Sequence, residues 1–184
     1  MIISIIAAIS KNNVIGNKNA MPWYLPADFK YFKEKTLNKT IVLGLNTFKS
    51  IGEKPLPNRK HIILTNDPNL QLPEGCFLAK SIDEALEIAE LCGTNAEKCG
   101  QDKKLKNFSS LNEEVMICGG AIVYKQFLPL TDRMYLTFIH QDFEGDTFFP
   151  EFNKDDWQEV SRENHDPDPK NLYSYSFVVL ERKK

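Results

Sequence analysis

The densest run of residue types suited to chemistry is Met21, Pro22, Trp23, Tyr24, Leu25, Pro26, Ala27, Asp28, continued by Phe29, Tyr31 and Phe32. Helical positions three and four apart share a face, so Asp28 points the same way as Tyr31 and Phe32. A carboxylate among aromatics at a helix start suits a cationic or amidine-like ligand held by paired hydrogen bonds. The helix dipole favours an acidic residue there without any ligand, so this segment alone leaves both readings open.

Two further stretches carry glycine between a strand and a helix. Ile41, Val42, Leu43, Gly44 lead into Asn46 and Thr47; Met116, Ile117, Cys118, Gly119, Gly120 lead into Ala121. Free amides at helix starts attract phosphate, and glycine admits a ligand close to the main chain. Together they suit a dinucleotide, although turns use glycine routinely and neither junction matches the GxGxxG fingerprint. Pro55, Leu56, Pro57, Asn58, Arg59 form a stiff loop presenting one Arg, suited to a carboxylate or simply to solvent.

The elements that must position these residues follow from the apolar pattern. Residues 2–9 lack polar alternation, as a central strand covered on both faces does. Residues 11–21 are Asn-rich, a mobile-loop composition. Pro26 opens a helix through residue 35. Residues 40–43 and 61–65 form strands with a short helix at 47–51 between them. Ser81 and Glu84 have capping-box spacing, and Ile82, Ala85, Leu86 and Ala89 recur at helical spacing, predicting a helix over 81–91. A strand at 115–118 runs into a helix at 121–128, and strands follow at 134–140, 157–163 and 173–182. This order indicates an α/β fold: one mixed, mostly parallel central sheet with flanking helices and an antiparallel C-terminal strand pair. Residues 1–184 read as one domain, with 93–112, polar and lysine-rich, as a surface insertion.

The 184 residues are 42% hydrophobic and 26% charged with a formal net charge of -2, which gives no sign of a polyanionic partner such as nucleic acid. The apolar opening is only about a third of a membrane span and lacks a basic leader, so a cytoplasmic protein without membrane contact is expected. Cys76, Cys92, Cys99 and Cys118 form no CxxC pair and His61, His140 and His165 lie far apart, so no metal site is expected and the thiols are expected to be reduced.

In this order the motifs resemble the bacterial dihydrofolate reductase family along nearly the whole chain. The resemblance rests on Ile6, Ala7, Ala8; Val14, Ile15, Gly16; Asn19 through Asp28; Thr47, Ser50, Ile51, Gly52; Pro55, Leu56, Pro57, Arg59; Gly119, Gly120, Val123, Tyr124; Tyr135, Leu136, Thr137; and Glu144, Gly145, Asp146, Thr147 with Phe149, Pro150. It implies reduction of 7,8-dihydrofolate to tetrahydrofolate, with hydride passing from NADPH to pterin C6 and a water-borne proton reaching N5. That reaction feeds one-carbon metabolism, and antifolates would bind the same pocket.

The resemblance also implies residue roles. Asp28 would hold the 2-amino and N3 edge of the pterin, supported by Thr137, and would orient and tune the ring rather than deliver the proton itself. Met21, Trp23 and Tyr124 would complete the reaction centre. Ile6, Ala7, Phe29, Phe32, Ser50, Ile51, Leu56 and Cys118 would line the substrate slot, and Arg59 would take the glutamate α-carboxylate. The cofactor would contact Ala8, Val14, Ile15, Gly16, Asn17, Lys18, Asn19 and Ala20, then Gly44, Leu45, Asn46 and Thr47, then Leu64, Thr65, Asn66 and Lys80. Its remaining contacts would be Cys118, Gly119, Gly120, Ala121, Ile122, Val123 and Tyr124. Asp146 would hold the loop closed through backbone amides near Gly16 and Lys18, and a monomer is expected.

The chain departs from the family at Leu45 and Ile122, where many members carry Arg against the cofactor's 2′-phosphate. That departure allows NADH use, or rescue by Lys98, Lys103, Lys104 or Lys106. Two alternatives stand beside this reading: another pterin or pyrimidine reductase, such as that of riboflavin synthesis, and a non-catalytic nucleotide-binding module on the same scaffold.

Overall fold

The computed structural model describes residues 1–67, 69–94 and 114–183. Ten strands and four α-helices follow in the order β1 (Ile2–Ser10), β2 (Val14–Gly16), α1 (Pro26–Thr36), β3 (Thr40–Gly44), α2 (Leu45–Ser50), β4 (Lys60–Leu64), β5 (Cys76–Ala79), α3 (Ile82–Thr94). The series ends with β6 (Glu114–Ile117), α4 (Ala121–Phe127), β7 (Arg133–Ile139), β8 (Thr147–Phe148), β9 (Trp157–His165) and β10 (Tyr175–Arg182). Eight strands form one sheet in the order β5-β4-β3-β6-β1-β7-β10-β9. Every pairing from β5 to β7 is parallel, and β10 and β9 run antiparallel, as the sequence pattern predicts.

The unalternating β1 is explained by its two covered faces. Ile5, Ala7 and Ile9 pack with Val42, Ile62, Ile117 and Leu136 beneath Ala85 and Ala89 of α3 and Val123 and Phe127 of α4. Ile6 points the other way, joining Ile41, Leu43, Ile63, Met116 and Phe48, with Tyr31 and Phe32 of α1 against them. Helices α1 and α2 therefore cover one face, and α3 and α4 the other.

The connections decide where a ligand fits. From β3 the chain passes through α2 outward to β4, whereas from β6 it passes through α4 the opposite way, over β1 to β7. The adjacent strands β3 and β6 thus send their chains apart, opening a crevice beyond their carboxyl ends.

Several local expectations are corrected. α2 starts at Leu45, two residues early, so Leu45 and Asn46 are helical. α3 runs to Thr94, so the first two residues of the expected insertion belong to a helix; the rest of it, with Lys98, Lys103, Lys104 and Lys106, lies outside the described residues. The capping box forms with Glu84 N–H donating to Ser81 Oγ at 3.1 Å, but the Glu84 carboxylate reaches the amide of Lys80 instead of Ser81. Cys76 and Cys118 are free, whereas Cys92 is disulfide-bonded, which overturns the expectation of uniformly reduced thiols.

The loop at 11–21 is not a free coil. β2 pairs antiparallel with β8, Phe149 N–H donates to the Asn13 carbonyl at 3.0 Å, and the Asn13 carboxamide donates back to the Phe149 carbonyl at 2.7 Å. Gly145 lies so close beneath β2 that a Cβ there would collide with the Val14 side chain and stand 2.7 Å from the Gly16 carbonyl oxygen. Gly145→Ala is therefore expected to separate β2 from β8. Amide exchange at Lys18 and Phe149 should quicken by roughly tenfold or more while β1 and β7 keep their protection; unchanged exchange at both amides would contradict this packing.

Candidate active site

Asp28 sits in the first turn of α1, placed by a start signal that is only partly local. Pro26 supplies the fixed φ of a first helical position. The side chain of Leu25, at the N-cap, offers no acceptor, and the amide of Ala27 instead donates to Asn171 Oδ1 at 2.9 Å. Asn171 is held in turn by Asp168, whose Oδ2 accepts from its carboxamide at 2.7 Å and whose Oδ1 accepts from its main-chain amide at 2.9 Å. An Asn acting as the missing cap from 144 residues away leaves no trace in local sequence. Only the turn-like composition of 166–171 hints at it.

The carboxyl of Asp28 accepts a hydrogen bond from Thr137 Oγ1 at 2.6 Å. Thr137 lies on β7, 1% exposed, between Ala8 of β1 and Phe177 of β10. Among the described residues no cation pairs with Asp28, and its second oxygen receives no donor. Burial raises its pKa from the ordinary 3.8 to about 6, with the Thr137 bond pulling the other way. Trp23, just upstream, is buried edge-on to Phe143 with centroids 5.1 Å apart, and its Nε1–H has no acceptor among the described residues. An unpaired buried donor costs about 1–3 kcal/mol, so a ligand or water acceptor fits there. Met21 is 45% exposed at the rim.

Phe32, Leu56, Cys118 and Ile6 fall in one apolar cluster with Tyr31 and Phe48, and Phe32 stands one helical turn after Asp28 on α1. Phe29 and Ile51 are more exposed, and the hydroxyl of Ser50 is occupied by the Thr47 carbonyl at 2.7 Å. Cys118 is a partly buried thiol whose pKa desolvation pushes well up, so it acts as a small apolar group. Arg59, at the end of the proline loop, is only 7% exposed. Its Nε donates to Thr36 Oγ1 at 2.8 Å and its terminal nitrogens to the carbonyls of Pro57 and Lys33 at 2.9 and 3.3 Å. These acceptors are neutral and no carboxylate pairs with it among the described residues. A fixed guanidinium without a counter-ion is prepared for an anionic ligand.

On the other side of the crevice the two glycine junctions meet. Gly44 N–H donates to the Gly119 carbonyl at 2.7 Å, and a Cβ on Gly120 would stand 3.2 Å from Thr47 Oγ1. α2 and α4 both begin without a side-chain cap. Uncapped amides of two neighbouring helix starts, at the point where the chain diverges, fit the phosphates of a dinucleotide. Tyr124, by contrast, is buried with its hydroxyl donating to the Ile6 carbonyl at 2.7 Å and its pKa raised by burial. That hydroxyl braces β1 against α4, and its ring underlies Gly119, where a Cβ would meet it at 3.0 Å.

The outer cofactor-side residues are less assembled. Thr65 Oγ1 is taken by the amide of Asp67 at 3.1 Å, Lys80 and Asn66 are exposed, and Ile122 is 73% exposed. The loop around Asp146 differs in one detail from expectation. Lys18 N–H donates to Asp146 Oδ2 at 3.0 Å, but Gly16 contributes its carbonyl, accepting from the Asp146 amide at 3.2 Å. Among the described residues no group of His, Cys, Asp or Glu is arranged to hold a metal, and no helix is long and apolar enough to cross a membrane.

Comparison with known proteins agrees with this geometry. A family model described as dihydrofolate reductase matches residues 2–182. The chain is similar to dihydrofolate reductase type 3 of Salmonella typhimurium, 41% identical over 184 residues and covering 100% of both chains. It is also similar to the dihydrofolate reductase of Bacillus subtilis (strain 168), 40% identical over 181 residues, 98% of this chain and 95% of that one. Among solved structures, dihydrofolate reductase from Enterococcus faecalis complexed with NADP(H) and RAB-propyl superposes with a TM-score of 0.82 at 36% identity, covering 100% of this chain and 97% of that one.

The raised pKa of Asp28 carries a stability consequence. The native protein binds this proton more tightly than the unfolded chain, so stability present below about pH 4 is lost as pH rises through about 6. Asp28→Asn, neutral throughout, should exceed the wild type in urea-unfolding stability at pH 7 by up to about 3 kcal/mol and match it near pH 4. Equal stabilities at both pH values would show that the carboxylate is not desolvated.

Proposed function

This chain belongs to the dihydrofolate reductase family, and from that premise we propose how its own residues bind and reduce 7,8-dihydrofolate to tetrahydrofolate. The observation that carries the reading is a half-buried carboxylate, Asp28, held by one neutral donor, with Phe32 one helical turn further on and, over its ring, Arg59, which has no counter-ion among the described residues. A pterin offers adjacent donors, its 2-amino group and N3–H, that match the two carboxylate oxygens. A glutamate tail offers the anion that Arg59 lacks. One ligand, polar at one end and anionic at the other, satisfies both.

When bound, NADPH supplies a hydride to pterin C6; the N5=C6 double bond is reduced and N5 takes a proton. Asp28 orients the ring and, as a carboxylate at its edge, favours positive character on it. The proton reaches N5 through water, and the unpaired Trp23 Nε1–H is suited to holding that water. Gly44, Gly119 and Gly120 admit the cofactor's phosphates to the amides at the starts of α2 and α4. Asp146, through Lys18, holds the loop carrying Met21 over the reaction centre and limits access of bulk solvent.

Purified protein should consume NADPH, followed by loss of its absorbance, only when dihydrofolate is added. Asp28→Asn should lower kcat at pH 7 by roughly 100-fold, with partial recovery in acid as the substrate protonates in solution. Undiminished turnover of that variant at pH 7 would contradict the role assigned to Asp28.

The uncharged Leu45 and the exposed Ile122 support a relaxed choice of cofactor. A hydrogen bond to a charged group contributes about 1.5–3 kcal/mol, so two missing cations should reduce the preference of kcat/KM for NADPH over NADH to less than roughly 100-fold. A preference of several thousandfold would overturn that reading.

A further inference from the structure

His61 is a buried titratable group that the reaction does not use. It is fully buried on β4, with Ile41 of β3 and Cys76 of β5 as register partners. Its Nε2 accepts a hydrogen bond from the Leu56 amide at 2.9 Å. A nitrogen that accepts carries no proton, so the neutral ring is protonated at Nδ1, which lies near the Arg59 carbonyl but makes no well-formed hydrogen bond among the described residues. Burial holds the imidazole pKa down to about 4, the neighbouring Arg59 carbonyl opposing this and the Arg59 guanidinium reinforcing it. The ring therefore stays neutral near pH 7 and its Nε2 lone pair stays available to Leu56.

An aliphatic residue would suit this sheet position better for packing alone, because a buried ring nitrogen with only a poorly aligned acceptor is destabilising. The well-formed hydrogen bond of His61 ends on the turn that carries two groups facing the crevice. Leu56 packs in the apolar cluster, and Arg59, three residues on, is fixed from the other side by Thr36 and Lys33. Without His61 the Arg59 end of the turn keeps its ties, while the Leu56 end loses its side-chain anchor.

We propose that His61 is a positioning residue for the substrate's acidic tail: by holding the Leu56 amide it sets the spacing between the apolar cluster and the Arg59 guanidinium. This rests on the dihydrofolate reading above. His61 touches no substrate, so its influence falls on binding of the tail and not on the reacting ring.

The test compares two substrates, dihydrofolate and a dihydropterin lacking the aminobenzoyl-glutamate tail, in wild type, His61→Phe and His61→Gln. His61→Phe removes the acceptor; His61→Gln keeps one at the distal position. In His61→Phe, KM for dihydrofolate should rise roughly tenfold with kcat within about twofold, while KM for the tail-less substrate is unchanged; His61→Gln should restore most of the lost affinity. Histidine 15N shifts of the wild type should show a ring protonated at Nδ1 only, a readout that needs no variant to fold. Equal KM changes for both substrates, no change for either, or a ring protonated at Nε2 would overturn the inference. Failure of the wild type to reduce dihydrofolate at all would instead overturn the functional reading.

Discussion

The structure is organised around a half-buried carboxylate, Asp28, that no cation among the described residues compensates. Desolvation alone would neutralise Asp28 or expel it to the surface. A single 2.6 Å hydrogen bond from Thr137 holds it in place, and that bond spans two elements, α1 and β7. Its geometry requires β7 to lie beside β1 and α1 to cross the same face, which is the outcome of the divergent connections around β6. The sheet order, the packing of α1 and the capping of its first turn all bear on one oxygen atom. What the protein forgoes in stability by burying Asp28 is available as binding free energy for a ligand that presents paired donors.

The two ends of the pocket solve the same problem with opposite charges. Arg59 is buried against a hydroxyl and two carbonyls, all neutral, so its charge is oriented but not cancelled. Asp28 and Arg59 are kept from pairing with each other, because an internal ion pair would satisfy both and leave nothing for a ligand. Phe32, one helical turn after Asp28 and beneath the Arg59 guanidinium, is thus part of the electrostatics as well as of the packing.

Much of this was legible in the sequence wherever a pattern ran long enough. The unalternating first strand, the capped helix beginning at Ile82 and the alternation of strands and helices gave the fold class and the parallel sheet. Strands β2 and β8, of three and two residues, are too short to show a period; β2 hid within the Asn-rich loop and β8 within the connection after β7. Asp28 was visible as a residue but ambiguous as a site, since a helix dipole accounts for an acid in the first turn equally well. Order along the chain favoured the site reading, because Thr137 and Arg59 fall where the resemblance to the family implies. Asn171, His61 and the hydroxyl of Tyr124 act through contacts separated by 144, 5 and 118 residues. Only the short-range one, five residues apart, lay within reach of local reasoning, and a lone His beside a proline loop carries no signature. The disulfide at Cys92 escaped because spacing alone does not report pairing.

The Asn171 cap also bears on when this protein becomes competent during its own synthesis. The amide it satisfies belongs to Ala27, near the beginning of the chain, while Asp168 and Asn171 lie in the connection between the last two strands. Phe177, the register partner of Thr137, arrives later still. A ribosome that has released the first helix has therefore produced a carboxylate with neither its cap nor the completed sheet behind its hydrogen-bond donor. Contacts of such separation are slow to form and come late in folding. A nascent chain exposes no assembled pocket until its C-terminal hairpin closes, so a truncated copy would not sequester the ligands of the finished enzyme.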